Sequence, residues 1–99
     1  MSVSRIGTIR QFEILLAVYQ ARSISKAAAL LSLTQPTLSM QLKKLSEQND
    51  IRLYDQIGKK LVFTEAGEVF VRSAQAVLHE MENLQESLDQ LHGLTKGTL

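Results

Sequence analysis

The residues best suited to recognition chemistry lie close together, between Ser23 and Gln48. Thr34, Gln35, Pro36, Thr37, Ser39, Met40 and Lys43 are interleaved there with Leu38, Leu42 and Leu45. A glutamine can pair with an adenine edge, a hydroxyl with either base type, and a lysine with phosphate or guanine. The three leucines fall at i, i+4 and i+7, a single apolar stripe on a helix. At about 100° per residue, the opposite side carries Pro36, Met40 and Lys43, flanked by Thr37, Ser39 and Lys44. Gln35 sits at the exposed N-terminal tip. A helix anchored on one side and polar on the other suits a major groove. The bland alternative is an amphipathic helix of any small helical protein.

The flanking sequence supplies elements that could position this helix. Thr34 is a good cap for it, with Pro36 in the first turn, where its missing N–H costs little. Upstream, Ser25 is expected to cap a short helix over residues 26–31, and Ser32-Leu33-Thr34 breaks the pattern. Two helices joined by a tight turn result. Thr8 is expected to cap a first helix running to about Ala21, with Ile9, Phe12, Leu15, Leu16 and Tyr19 facing inward. It would pack behind the other two, and Ala27, Ala28 and Leu31 would complete a three-helix core. Residues 1–7 read as a frayed lead-in.

Downstream, the helical pattern fades at Asn49-Asp50. Two strand-like pieces, around Leu53-Tyr54 and Leu61-Val62-Phe63, flank Ile57-Gly58-Lys59-Lys60 and predict a β-hairpin. Lys59 and Lys60 at its tip could touch phosphates or reach into a minor groove. Thr64 then caps a long helix, with Glu65 and Glu68 near its positive end. Phe70, Ala74, Val77, Met81, Leu84, Leu88 and Leu91 repeat at alternating spacings of four and three, a heptad seam. Such a helix is too long for a small body to cover, so the seam is expected to pair with a second copy. A helix folded back on its own domain is the alternative. Gly93 is expected to end it, leaving residues 94–99 as a linker.

Composition agrees with a small globular chain. Of 99 residues, 44% are hydrophobic and 21% charged, enough for one core. No apolar run approaches a membrane span, the start lacks a signal-peptide core, and there is no cysteine. A cytoplasmic location without membrane partners is expected. The formal net charge of +1 hides a split. Residues 1–64 carry nine Lys/Arg against four Asp/Glu, net +5, and residues 65–99 carry two against six, net −4. A basic body joined to an acidic extension suggests that the body meets a polyanion.

Taken together, residues 9–91 resemble the N-terminal DNA-binding region of LysR-type transcriptional regulators. The resemblance rests on Ser23-Ile24-Ser25-Lys26-Ala27-Ala28, Leu31, Leu33-Thr34-Gln35-Pro36-Thr37-Leu38-Ser39, Leu45, Leu53-Tyr54 and Phe63-Thr64-Glu65-Ala66-Gly67, in this order and spacing. It implies a mainly α chain. Residues 1–64 would form a winged helix-turn-helix, 65–92 a dimerisation (linker) helix, and 93–99 the start of a linker. It implies that Thr34, Gln35, Pro36, Thr37, Ser39, Met40 and Lys43 face double-stranded DNA, with Ser23 and Ser25 near the backbone and Lys59 and Lys60 on the wing. It further implies an antiparallel homodimer through Phe70, Ala74, Val77, Met81, Leu84, Leu88 and Leu91, and a tetramer in a longer protein. No cofactor or metal is implied for this stretch; a small-molecule co-inducer would bind a further C-terminal domain that is absent from the 99 residues. The run from Leu33 to Gln41 looks like the subgroup controlling Calvin-cycle carboxylase operons.

The sequence departs from the family pattern in several places. Arg22 stands where glycine is usual, Ser46 where glutamate is, and Asn49-Asp50 where Leu-Gly is. Gln56 and Met40 replace frequent arginines, the latter shifting readout toward thymine methyls. An enzyme is not expected. His79 and His92 lie thirteen positions apart without ligands at metal spacing, and no phosphate-binding glycine loop occurs. The alternative function is a coiled-coil interaction module whose basic body binds an acidic protein.

Overall fold

The computed structural model describes residues 5–95, with side chains through residue 93. Four helices and one hairpin follow in order: α1 (Ile9–Ala21), α2 (Ile24–Leu30), α3 (Gln35–Asn49), β1 (Tyr54–Ile57), β2 (Lys60–Phe63) and α4 (Glu65–Thr95). The chain is mainly α with a small two-stranded wing, as the sequence predicts.

Each helix of the body starts at a side-chain cap. Thr8 accepts from the Gln11 amide while the Gln11 side chain accepts from the Thr8 N–H, a complete capping box. Ser23, rather than Ser25, caps α2, accepting from the Lys26 N–H at 3.2 Å. Ile24 packs against the core and so joins the helix, which moves its start two residues earlier than predicted. Thr34 caps α3 by accepting from the Thr37 N–H, and Pro36 lies within the first turn.

The ends of these helices carry left-handed residues that are not glycine: Arg22 (φ 53°), Ser32 (φ 56°) and Asp50 (φ 50°). Arg22 and Asp50 therefore make the turns for which glycine was expected, at a backbone cost of roughly 1–2 kcal/mol each. Asn49 secures the second turn, donating to the carbonyls of Leu45 (2.9 Å) and Ile6 (2.7 Å). Ile6 and Gly7 are thus packed on the end of α3, where the sequence suggested a lead-in without a role; residues 1–4 lie outside the described residues. A Cβ on Gly7 would come within 2.7 Å of Leu45 Cδ1.

The core lies where α1, α2, α3 and the first turns of α4 meet. Ile14, Leu15, Val18, Ala27, Ala28, Leu38, Leu42, Leu45, Leu53, Leu61, Phe63 and Val71 are buried together. The inner face of α1 is therefore rotated from the predicted one. Leu15 is buried and Phe12, Leu16 and Tyr19 are partly so, but Ile14 and Val18 replace the exposed Ile9. The buried Gln11 amide is satisfied by donating to Gln41 Oε1 at 3.2 Å, which ties α1 to α3.

The wing is an antiparallel hairpin in the register Tyr54↔Phe63 through Ile57↔Lys60. Its two-residue turn uses Gly58 at φ 64°, where glycine carries no Cβ penalty. Thr64 links wing to stalk: its hydroxyl donates to the Arg52 and Leu53 carbonyls and accepts from the Gly67 N–H at 2.9 Å. A Cβ on Gly67 would strike the Leu53 carbonyl oxygen. Tyr19 reaches across from α1 and donates to Glu68 Oε2 at 2.9 Å. That hydrogen bond, then burial and the Glu68 charge, holds the Tyr19 phenol above its ordinary pKa; burial alone raises Tyr54. Both phenols add stability that is complete below about pH 10 and fades as pH rises through their raised folded values.

Gly93 does not end α4, which continues to Thr95; one glycine costs a long helix only about 1 kcal/mol. Residues 96–99 of the expected linker lie outside the described residues.

Gly67→Ala is expected to lower stability by about 1–3 kcal/mol, because overpacking against backbone outweighs the better helix propensity of alanine. A urea midpoint that did not fall would show that the Leu53 carbonyl can move aside. Thr34→Ala should cost about 1 kcal/mol through loss of the α3 cap, and Thr34→Ser should restore most of it. Equal melting temperatures for the three proteins would remove the cap from the account.

Candidate nucleic-acid interface

Burial fixes which way α3 turns its side chains. Leu38 and Leu45 are fully buried and Leu42 is 2% exposed, so the stripe predicted from spacing faces the core. Gln35, Pro36, Ser39, Met40, Lys43 and Lys44 consequently stand exposed on the other side. Met40 is half exposed, an apolar side chain standing on a polar face. Thr37 is partly buried, and Thr34 Oγ1 donates to its hydroxyl at 2.8 Å while accepting from its N–H. These two hydroxyls are committed to the cap first.

Ser23 and Ser25 sit together at the start of α2, with their hydroxyl oxygens 3.1 Å apart. Ser23 is partly buried and occupied as the cap, whereas Ser25 is exposed. Lys59 is in the hairpin turn and Lys60 opens β2, both exposed. Gln56 is exposed and uncharged beside Asp55, whose carboxylate accepts from Arg52 at 2.7 Å. The arrangement is a polar helix face with hydroxyls at one flank and a lysine-tipped hairpin at another. It offers donors and acceptors to base edges and positive charge to phosphates.

The predicted seam divides into two parts. Phe70 packs edge-to-face on Phe12 at 5.7 Å, and Ala74 is 1% exposed beneath α1. Phe70 and Ala74, the first two seam positions, thus pack on the body of their own chain, and both also line the cleft beside Val77. Val77, Met81, Leu84, Leu88 and Leu91 remain exposed, Leu84 at 60%. The described residues include no helix long and apolar enough to cross a membrane.

The sequence reasoning overlooked three residues that shape this surface. Lys44 lies on the exposed face of α3, beside Lys43. Gln41 is held by Gln11, and the Thr8-x-x-Gln11 spacing of a capping box was the available signal. Arg22 stands where the family pattern has glycine, and its guanidinium lies over the Tyr19 and Phe63 rings, a placement no sequence signal announces.

Comparison with known proteins agrees with this geometry. Residues 9–68 match the family described as bacterial regulatory helix-turn-helix protein, lysR family. The chain is 41% identical over 93 residues to the HTH-type transcriptional activator CmpR of Synechocystis sp., covering 94% of this chain and 31% of that protein. It is 39% identical over 95 residues to the RuBisCO operon transcriptional regulator of Acidithiobacillus ferrooxidans, covering 96% and 31%. The chain thus spans about a third of the length of these relatives. Among solved structures, the BenM DNA-binding domain in complex with benA site 1 DNA superposes with a TM-score of 0.82 at 26% identity, covering 87% of this chain and 97% of that one. With a family match over most of the body, a winged helix-turn-helix fold and relatives at about 40% identity, the chain belongs to the LysR family of bacterial regulatory helix-turn-helix proteins.

Proposed function

We propose that this chain is the sequence-specific DNA-reading part of a transcriptional regulator, placing α3 in the major groove of its operator. One observation carries the proposal: the polar face of α3 is bare because the opposite face is locked into the core. Gln35 at the tip, with Ser39, Met40 and Lys43 along the exposed side, reads base edges. Pro36 and Thr37 line the same approach, and Thr34 holds the helix start. Ser23 and Ser25 meet the backbone on one flank, and Lys59 and Lys60 bring charge to the other. The BenM domain, similar over nearly its whole length, is a DNA complex, which supports this assignment.

The chain acts as a homodimer joined through α4, so that two copies of α3 read half-sites related by a two-fold axis. Val77, Met81, Leu84 and Leu88 form the joining face, exposed on a helix that outruns the body. Beside it, an apolar cleft of about 830 Å³ lined by Ile6, Ile9, Phe12, Val69, Phe70 and Val77 could receive part of the second copy. A small-molecule effector and a tetramer, both implied by the resemblance, would involve segments of a longer chain. The names of the relatives favour a promoter of a carbon-fixation operon as the target. Nothing in the comparisons favours the alternative of an acidic protein partner.

Selection of bound duplexes from a random pool should return a two-fold-related motif; a pool without enrichment would sink the proposal. Gln35→Ala is expected to lose roughly 1–3 kcal/mol of discrimination at one base pair. Lys59→Ala and Lys60→Ala should weaken all duplexes alike and flatten the salt dependence by about one unit each. A changed base preference in either lysine variant would mean that the wing reads sequence. Leu84→Glu should yield monomers in sedimentation, since a charge would be buried unpaired in the joint; a dimer that survived it would rule out this pairing face.

A further inference from the structure

Arg22 occupies an unusual place. It ends α1 in a left-handed conformation that glycine adopts freely, yet it is an arginine. Its guanidinium carbon lies 4.4 Å from the centre of the Tyr19 ring and 5.2 Å from that of Phe63. The two rings meet edge-to-face at 4.9 Å, and the Tyr19 hydroxyl donates to both carboxylate oxygens of Glu68. The platform is therefore fixed from three elements, α1, β2 and α4.

Among the described residues, the ion pairs are Arg10–Glu13 and Arg52–Asp55, and Arg22 is in neither. A guanidinium lying on aromatic rings keeps donors at its rim for an oxyanion, and its held orientation reduces the entropy lost on binding. The neighbouring residues place it well. Ser23 follows directly and caps α2, Ser25 is exposed beside Ser23, and Phe63 closes the base of the wing. Arg22 thus stands where the start of α2 meets the wing. The wing itself carries the uncharged Gln56 in place of an arginine.

We infer that Arg22 is a phosphate anchor for the DNA backbone, held ready by the Tyr19–Phe63 platform beside Ser23 and Ser25. This rests on the DNA-reading function proposed above. Its contribution is independent of base sequence, because phosphate oxygens are the same at every step. The competing explanation is that Arg22 only covers two aromatic rings, in which case its removal changes stability and leaves DNA binding alone.

The test is a salt titration of binding to a duplex recovered by selection and to a scrambled one. Wild type is compared with Arg22→Gly, Arg22→Gln, Arg22→Lys and the control Arg10→Gln. Arg10 carries the same charge about 18 Å away along α1, beyond the screening length at ordinary salt. Arg22→Gly suits the left-handed backbone, and Arg22→Gln keeps a long side chain, so two independent variants remove the charge.

Both neutral variants are expected to flatten the slope of log K against log salt by about 0.9, which is roughly a fivefold loss at 0.15 M salt, on both duplexes alike. Arg22→Lys should retain the slope, and Arg10→Gln should match wild type. Slopes unchanged in a folded neutral variant, or an equal loss in Arg10→Gln, would overturn the inference. A wild type that does not distinguish the two duplexes would instead overturn the function on which it rests.

Discussion

The burial of Leu38, Leu42 and Leu45 is the constraint from which the rest of the surface follows. A helix has one rotational degree of freedom about its own axis, and three leucines in a row remove it. Rotating α3 by a quarter turn would expose them and bury Lys43 or Ser39, exchanging transfer free energy of roughly 1.5–3 kcal/mol per leucine for unpaired polar groups. The polar face is therefore not chosen by its own interactions. It is whatever remains after the leucines have been placed, which leaves those positions free to vary for recognition without disturbing the fold.

The other elements hold that geometry in place. α1 lies behind α3 and is tied to it by the Gln11–Gln41 contact, a buried polar link that sets register as well as distance. Ile6, Gly7 and Asn49 close the far end of α3. On the wing side, Thr64 joins the Leu53 carbonyl to the first turn of α4, while Tyr19 and Glu68 bring α1 to the same point. Recognition helix, hairpin and stalk are thus parts of one packed body rather than modules on flexible tethers.

What could be read from the sequence followed from periodicity and spacing. The α3 stripe was legible because leucine occurs there only at helical intervals, and the hairpin because a glycine and two lysines separate two apolar pieces. The inward face of α1 was not, because residues 14–18 are all apolar and any rotation looks plausible; only packing within the assembled core selects Ile14 and Val18. Ser23 and Ser25 could each cap α2, and the burial of Ile24 decides between them. The heptad pattern is continuous from Phe70 to Leu91, yet periodicity does not say which of its positions the body of the same chain covers. The left-handed turns at Arg22 and Asp50 were hidden for the opposite reason, since neither residue type advertises that conformation.

The attachment of α4 has a mechanical consequence. Gly67 seats the helix directly on the backbone at Leu53, so its first turn acts as a rigid fulcrum. The 31 residues of α4 extend about 46 Å from there. A tilt of about 5° at the fulcrum would sweep the far end through about 4 Å over that length. The direction in which α4 leaves the body is set at the hub, by a glycine and a carbonyl, more than along the shaft itself.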